Sequence, residues 1–305
     1  MKILSLQVGL PAEHVSELKD GLEAAWISGI WKSPAVGRLR LGRTNLDGDA
    51  QADLKNHGGP DKAVCCYAAK HYPGWREILD KSESEFPYGA FGENWTLAGM
   101  TEDAVCIGDI YTVGTARVQV SQPRMPCWKL GRRWERPGFP LEVSGSGRTG
   151  YYLRVLEPGE VGVGDTLTLT ERPLPEWPVA LINRAMYVDK ADAELAEALG
   201  RLLLLAEAWR RPFRRRAGLL RSRAGGVPNF YRSGIEEAGC IKHPTGRSRR
   251  PPGGRRPEYA LAPGGRRLFC AVGLIPTDAG PTKEGPTKEG PTEERPSENR
   301  DSRAG

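Results

Sequence analysis

The run Val118-Gln119-Val120-Ser121-Gln122-Pro123-Arg124-Met125-Pro126-Cys127-Trp128-Lys129-Leu130 carries the residue best suited to chemistry, Cys127. Two prolines narrow the conformational freedom of the loop ahead of it, so the thiol stays where the fold puts it. Arg124 and Lys129 favour the thiolate, the form that ligates metals or attacks electrophiles. A thiolate is a suitable ligand for a soft transition-metal centre. A packed cysteine in an ordinary loop fits these residues equally well.

Two further segments hold polar groups beside glycines. In Asn56-His57-Gly58-Gly59-Pro60-Asp61-Lys62-Ala63, the paired glycines let the backbone approach a ligand closely. His57, Asp61 and Lys62 supply polar groups around that opening, although a hairpin turn with solvated charges reads the same. The segment is not a P-loop, because it lacks the spacing and the Ser/Thr. Tyr88-Gly89-Ala90-Phe91-Gly92-Glu93-Asn94-Trp95 places an acid and an amide among aromatic residues, which suits a planar heterocycle or a simple turn. The charges of Leu46 to Asp53 read as solvated or as part of the same opening.

These segments need a scaffold. From 1 to 172 short β-like runs alternate with turn residues, the pattern of a barrel or sandwich. Met1 to Val8, Ala116 to Val120, Tyr151 to Val155 and Thr166 to Thr170 read as strands. In Ala116–Val120 and Thr166–Thr170 the alternation predicts one buried and one wetted face. Val105 to Val113, broken by Gly108-Asp109, reads as a hairpin or a strand corner. Cys65 and Cys66 read as strand residues, one or both buried. Tyr72, Trp75 and Leu79 share a face of a helix predicted over Ala68 to Leu79. A proline-rich junction near 173 leads to helices expected over Val179 to Tyr187 and Asp192 to Arg211. The expected divisions are therefore a β domain over 1–172, a small helical unit over 173–216 and a disordered Arg/Gly/Pro-rich tail over 217–305.

Charge divides along the same line. Residues 1–200 hold 22 basic and 27 acidic side chains, while 201–305 hold 22 and 11. The basic balance thus belongs to the tail, which argues against nucleic-acid binding by the folded part. None of the six cysteines forms a CxxC and none has zinc-like spacing to the four histidines. With no export signal and no segment near membrane-spanning length, a cytoplasmic chain with free thiols and no membrane contact is expected.

Taken in order, Gly48-Asp49, His57-Gly58-Gly59-Pro60-Asp61-Lys62-Ala63-Val64, Phe91-Gly92-Glu93-Asn94, Gly108-Asp109 and Gln122-Pro123-Arg124-x-Pro126-Cys127 resemble the MOSC family, named from the C-terminal domain of the molybdenum cofactor sulfurase, in its YiiM-like branch. The resemblance covers about 1–172, and 173–215 is similar to the three-helix unit of that branch, with a third helix that reads as shortened or degenerate. It implies a mainly β fold, a MOSC-type β-barrel, binding the pyranopterin molybdenum cofactor. On that resemblance Cys127 would be the molybdenum ligand and catalytic residue. Arg124 and Lys129 would neutralise cofactor phosphate or tune the thiolate, and His57, Gly58, Gly59, Asp61, Lys62, Glu93 and Asn94 would complete the cofactor site. The implied activity is reduction of N-hydroxylated small molecules such as hydroxylaminopurines by oxygen-atom transfer. The chain has no iron–sulfur cysteine pattern and no G-x-G-x-x-G fingerprint, so electrons would come from a separate flavin or iron–sulfur reductase. The alternative is a non-redox module carrying sulfur as a persulfide on Cys127.

Overall fold

The computed structural model describes residues 1–16, 18 and 25–225. Its strands are β1 (Lys2–Val8), β2 (Ala12–Val15), β3 (Ala25–Ser28), β4 (Ser33–Pro34), β5 (Arg38–Leu41), β6 (Val64–Ala68), β7 (Trp95–Ala98), β8 (Ile110–Val113), β9 (Ala116–Pro123), β10 (Tyr151–Glu157), β11 (Gly159–Gly162) and β12 (Thr168–Glu171). Eight of them form one sheet in the order β12-β8-β9-β10-β6-β7-β1-β4, with β6 and β7 parallel and every other neighbour antiparallel. The sheet curls back on itself. Just ahead of β12, Ile3 N donates to Asp165 O (3.0 Å), Gly164 N to Ile3 O (2.9 Å) and Leu167 N to Met1 O (3.0 Å). That seam satisfies backbone groups that an open edge strand would leave unpaired. The fold is thus mainly β, as the alternation predicts. β2 with β3 and β5 with β11 make two small two-stranded antiparallel sheets beside it.

The helices are α1 (Leu54–His57), α2 (Tyr72–Leu79), α3 (Trp128–Arg133), α4 (Phe139–Ser146), α5 (Val179–Tyr187), α6 (Ala193–Arg201) and α7 (Glu207–Gly225). Two cores result. One fills the sheet with Ile3, Leu97, Val118, Val120 and Leu153 and runs into Ile182, Leu199, Trp209 and Phe213 of the C-terminal helices. The other is aromatic, with Tyr67, Tyr72, Trp75, Phe86, Phe91 and Phe139 in contact beneath α3 and α4.

Several expectations are corrected. The helix expected from Ala68 begins at Tyr72, because Ala68 ends β6 and a 3-10 turn fills Ala69–His71. Pro73 in the first helical turn fixes that start. The single helix expected over 192–211 is two. Between them Ala206 N donates to Ser121 O (2.9 Å) and Arg154 Nη2 to Leu204 O (3.0 Å), so this turn bonds to the barrel rather than to a helix. Folding back lets Leu199, Trp209 and Phe213 share one core, which one short exposed helix could not achieve. The third helix is not shortened at 216. Buried Phe213 and Ala217 anchor it, and Arg216 donates to the α5 carbonyl oxygens of Ala185 and Met186. Residues 217–225 are therefore helical rather than tail; the rest of the expected tail lies outside the described residues.

The alternation of β9 misleads as well. Gln119 is buried on the face expected to be wet, and Ser121 and Gln122 beyond it are buried as well. There Ser121 Oγ donates to Asp61 O (2.6 Å) and Tyr152 O (3.0 Å). In β12 the Thr168–Glu171 side chains are all exposed, and Leu167 just before them is the buried one. Gly108-Asp109 is a strand corner: the buried Asp109 carboxylate accepts from Cys106 N (2.9 Å), Tyr111 Oη (3.0 Å) and both arms of Arg172.

Candidate functional site

One cleft, enclosing about 640 Å³ of space open to solvent, gathers the segments that the sequence separates. β9 ends at Pro123, Arg124 N bonds to Gly150 O (2.9 Å), and the loop delivers Cys127 to the start of α3. Cys127 is partly exposed and its side chain makes no capping hydrogen bond. Cys65, Cys66 and Cys106 are free and buried.

His57, Lys62, Asn94, Arg124, Cys127 and Lys129 line this cleft together. Asp53 places His57, because its carboxylate caps α1 by accepting from Asn56 N (3.1 Å) and Asn56 Nδ2 (2.8 Å), which also holds its pKa down. Lys62 Nζ donates to Asn56 O (2.8 Å) and Lys129 Nζ to Ile27 O (2.8 Å). Arg124 is buried. Its Nη2 donates to Phe91 O, while Nη1 has no acceptor among the described residues. Burial works against the charge of this guanidinium, while Cys65, Tyr152 and Cys127 hold its pKa up.

Burial, with Arg124 and Lys129 close by, pushes the His57 pKa from 6.5 down to about 4. Burial also lowers Lys62. The native state then binds fewer protons at His57 than the unfolded chain does between pH 6.5 and 4, so stability falls as pH drops through that window. His57→Gln is expected to flatten this part of a stability-against-pH curve from urea unfolding, whereas an unchanged slope would show a solvated imidazole.

Other expected site residues are turned from the cleft or spent on framework bonds. Asp61 pairs with Arg154 Nε (2.8 Å). Gly58 and Gly59 stand beside the cleft without lining it, and only Gly59 has positive φ (99°). Glu93 is fully buried and turned into its own loop, where it accepts from Gly89 N (2.8 Å), Phe91 N (3.2 Å), Thr96 Oγ1 (2.7 Å) and Tyr72 Oη. Asn94 reaches the cleft but is spent on framework bonds to Cys65 N (3.0 Å), Gln7 O (3.2 Å) and Asp49 (3.0 Å). Asp49 is not solvated: it is buried against Lys32 and accepts from Gly9 N (3.0 Å).

Lys32, Cys65 and Tyr152 line the cleft without having been singled out for it. Tyr152 carried only a strand signal, and burial pushes its phenol up, as it does the Cys65 thiol. Gly92, also at the cleft, sits at φ +76° with a Cβ position 2.7 Å from Ile30 Cγ1. Gly92→Ala is expected to cost roughly 1–3 kcal/mol by urea unfolding, since it adds strain and displaces Ile30.

A MOSC domain family model matches residues 53–168. The YflK protein of Bacillus subtilis is 45% identical over 211 residues, covering 69% of this chain and 92% of that protein. The chain belongs to the MOSC domain family. Among solved structures, YiiM from Geobacillus stearothermophilus is similar at 36% identity and a TM-score of 0.59, over 71% of this chain and 98% of that one. This MOSC chain is therefore YiiM-like. A reductase of Gibberella moniliformis is 37% identical over 178 residues, which are 58% of this chain and 32% of that longer protein. The family match begins at 53, yet the MOSC barrel here also needs β1, which pairs with β7 and with the seam ahead of β12.

Proposed function

We propose that this MOSC protein is a molybdenum-cofactor-dependent reductase of N-hydroxylated compounds. The reading rests on one observation: a partly exposed thiol shares its cleft with a buried arginine whose Nη1 has no acceptor among the described residues. A buried N–H of that kind calls for a ligand, and a guanidinium suits an anionic phosphate. Cys127 would hold the metal, with Arg124, Lys62 and Lys129 around the phosphate and the neutral His57 offering a hydrogen bond without adding positive charge. The bound group would supply the two-electron chemistry that no side chain offers. Overall R–NHOH, two electrons and two protons give R–NH2 and water. The electrons require a partner, for which a flavin or iron–sulfur reductase is suited. The Gibberella protein fits this view, since about two thirds of that reductase lie outside the similarity.

The test is the molybdenum and pterin content of the full chain purified from a host that makes the cofactor, together with 6-hydroxylaminopurine reduction under a chemical reductant. Near-stoichiometric metal with turnover supports the proposal. A chain with no pterin and a labile sulfur on Cys127 by mass spectrometry replaces it with the sulfur-carrier reading.

A further inference from the structure

Four aromatic rings stand together beside the cleft and have no part in the account so far. His14 stacks on Trp31 with centroids 3.9 Å apart, and Trp26 lies 5.3 Å from Trp31 and 5.5 Å from Trp128. Trp26 is buried, yet Trp31 and Trp128 remain 40% and 45% exposed. Their chain positions tie them to the opening: Trp31 sits between the cleft residues Ile30 and Lys32, and Trp128 between Cys127 and Lys129. Two separate segments that line one cleft thus each carry one partly exposed indole next to a lining residue, with Trp26 bridging the two rings. Cations crown both rings, with the Arg132 guanidinium 5.2 Å from the Trp128 centroid and that of Arg133 5.6 Å from Trp31. The cations beside the rings are themselves held, Lys129 Nζ by Ile27 O and Arg133 by Ile30 O (2.7 Å) and Gly89 O (2.8 Å).

We propose that Trp31 and Trp128, braced by His14 and Trp26, are the stacking platform that selects planar nitrogen-heterocyclic substrates over aliphatic ones. The proposal rests on the reductase reading and deepens it. Fixed, partly exposed indoles bind any flat π-face at little entropic cost, and base–aromatic stacking is worth about 1–3 kcal/mol per base. Their attachment to the segments that line the cleft suits the ring of a substrate whose N–OH group points inward toward Cys127. The pterin is the other planar heterocycle that this chemistry admits, so the test separates the two.

Reduction of 6-hydroxylaminopurine is compared with that of N-hydroxycyclohexylamine by the metal-loaded full chain and by its Trp128→Leu, Trp31→Leu and Trp128→Phe variants. The ratio of kcat/KM values, purine over aliphatic, is expected to fall about tenfold in each leucine variant, through KM, and to recover in Trp128→Phe. Pterin content in the leucine variants is expected to stay at the parental level. Loss of pterin would assign the platform to the cofactor, and an unchanged ratio would overturn it outright. A changed sedimentation mass with an unchanged ratio would make the rings an interface between copies. Independently of turnover, adenine is expected to quench tryptophan fluorescence in the parent and less in Trp128→Leu, while cyclohexylamine does neither. Quenching without any reduction would sink the reductase reading and leave the platform standing.

Discussion

Cys127→Ser is expected to leave the chain folded, strip it of molybdenum and lower reduction of N-hydroxylated substrates by more than about a hundredfold. The substitution is nearly isosteric, and the side chain makes no cap bond whose loss would unfold α3. Its effect should therefore fall on ligand chemistry, because a hydroxyl is a poor ligand for a soft metal compared with a thiolate. Loss of a residue that only orients a ligand already costs 10–100-fold in metal affinity or activity, and loss of the ligand itself should exceed that. Cys106→Ser provides the comparison, since Cys106 lies in the strand corner with its thiol against Pro175 O (3.5 Å). Molybdenum per chain by elemental analysis and single-turnover rates are the measurements. Metal retained by Cys127→Ser at the parental level would refute the assignment.

Why Cys127 was legible in the sequence, and other cleft residues were not, has a physical basis. Prolines and glycines act locally, so the loops ending in Cys127 and carrying His57 and Lys62 declared themselves through backbone chemistry alone. Lys32 and Tyr152 reach the cleft through strand pairing and a return of the chain, which no short motif encodes. Wetted and covered strand faces look alike when the cover is another part of the fold, which is why the alternation of β9 wrongly predicts a wet Gln119. α7 was cut short because its arginines mask an apolar stripe of only Trp209, Phe213 and Ala217. The aromatic cluster has no local signal, since Trp26 and Trp31 lie far ahead of Trp128 in the chain and meet it only where the β2–β3 hairpin lies against α3.

Glu93→Ala is expected to destabilise the chain by roughly 3–5 kcal/mol, the cost of breaking a buried hydrogen-bond network at its shared acceptor. Composition cannot tell a carboxylate aimed at a ligand from one folded back on its own loop, and the resemblance placed Glu93 in the cofactor site. The geometry favours the second. Oε1 accepts from Gly89 N, Thr96 Oγ1 and Tyr72 Oη, and Oε2 from Phe91 N. Alanine would leave all these buried donors without an acceptor, each costing about 1–3 kcal/mol before relaxation. Arg133, whose pKa burial lowers to about 10 while Glu93 raises it, would also lose a compensating charge. Glu93→Gln can keep the three Oε1 bonds and should lose much less, because only the Phe91 N–H would then face an amide donor. Thermal and urea unfolding of both variants, without cofactor, decide the matter. A parental midpoint for Glu93→Ala combined with weakened pterin binding would return Glu93 to the ligand. A large loss in the cofactor-free chain makes it the brace that holds Phe91 O where Arg124 is anchored, so that any effect on binding passes through the position of the arginine.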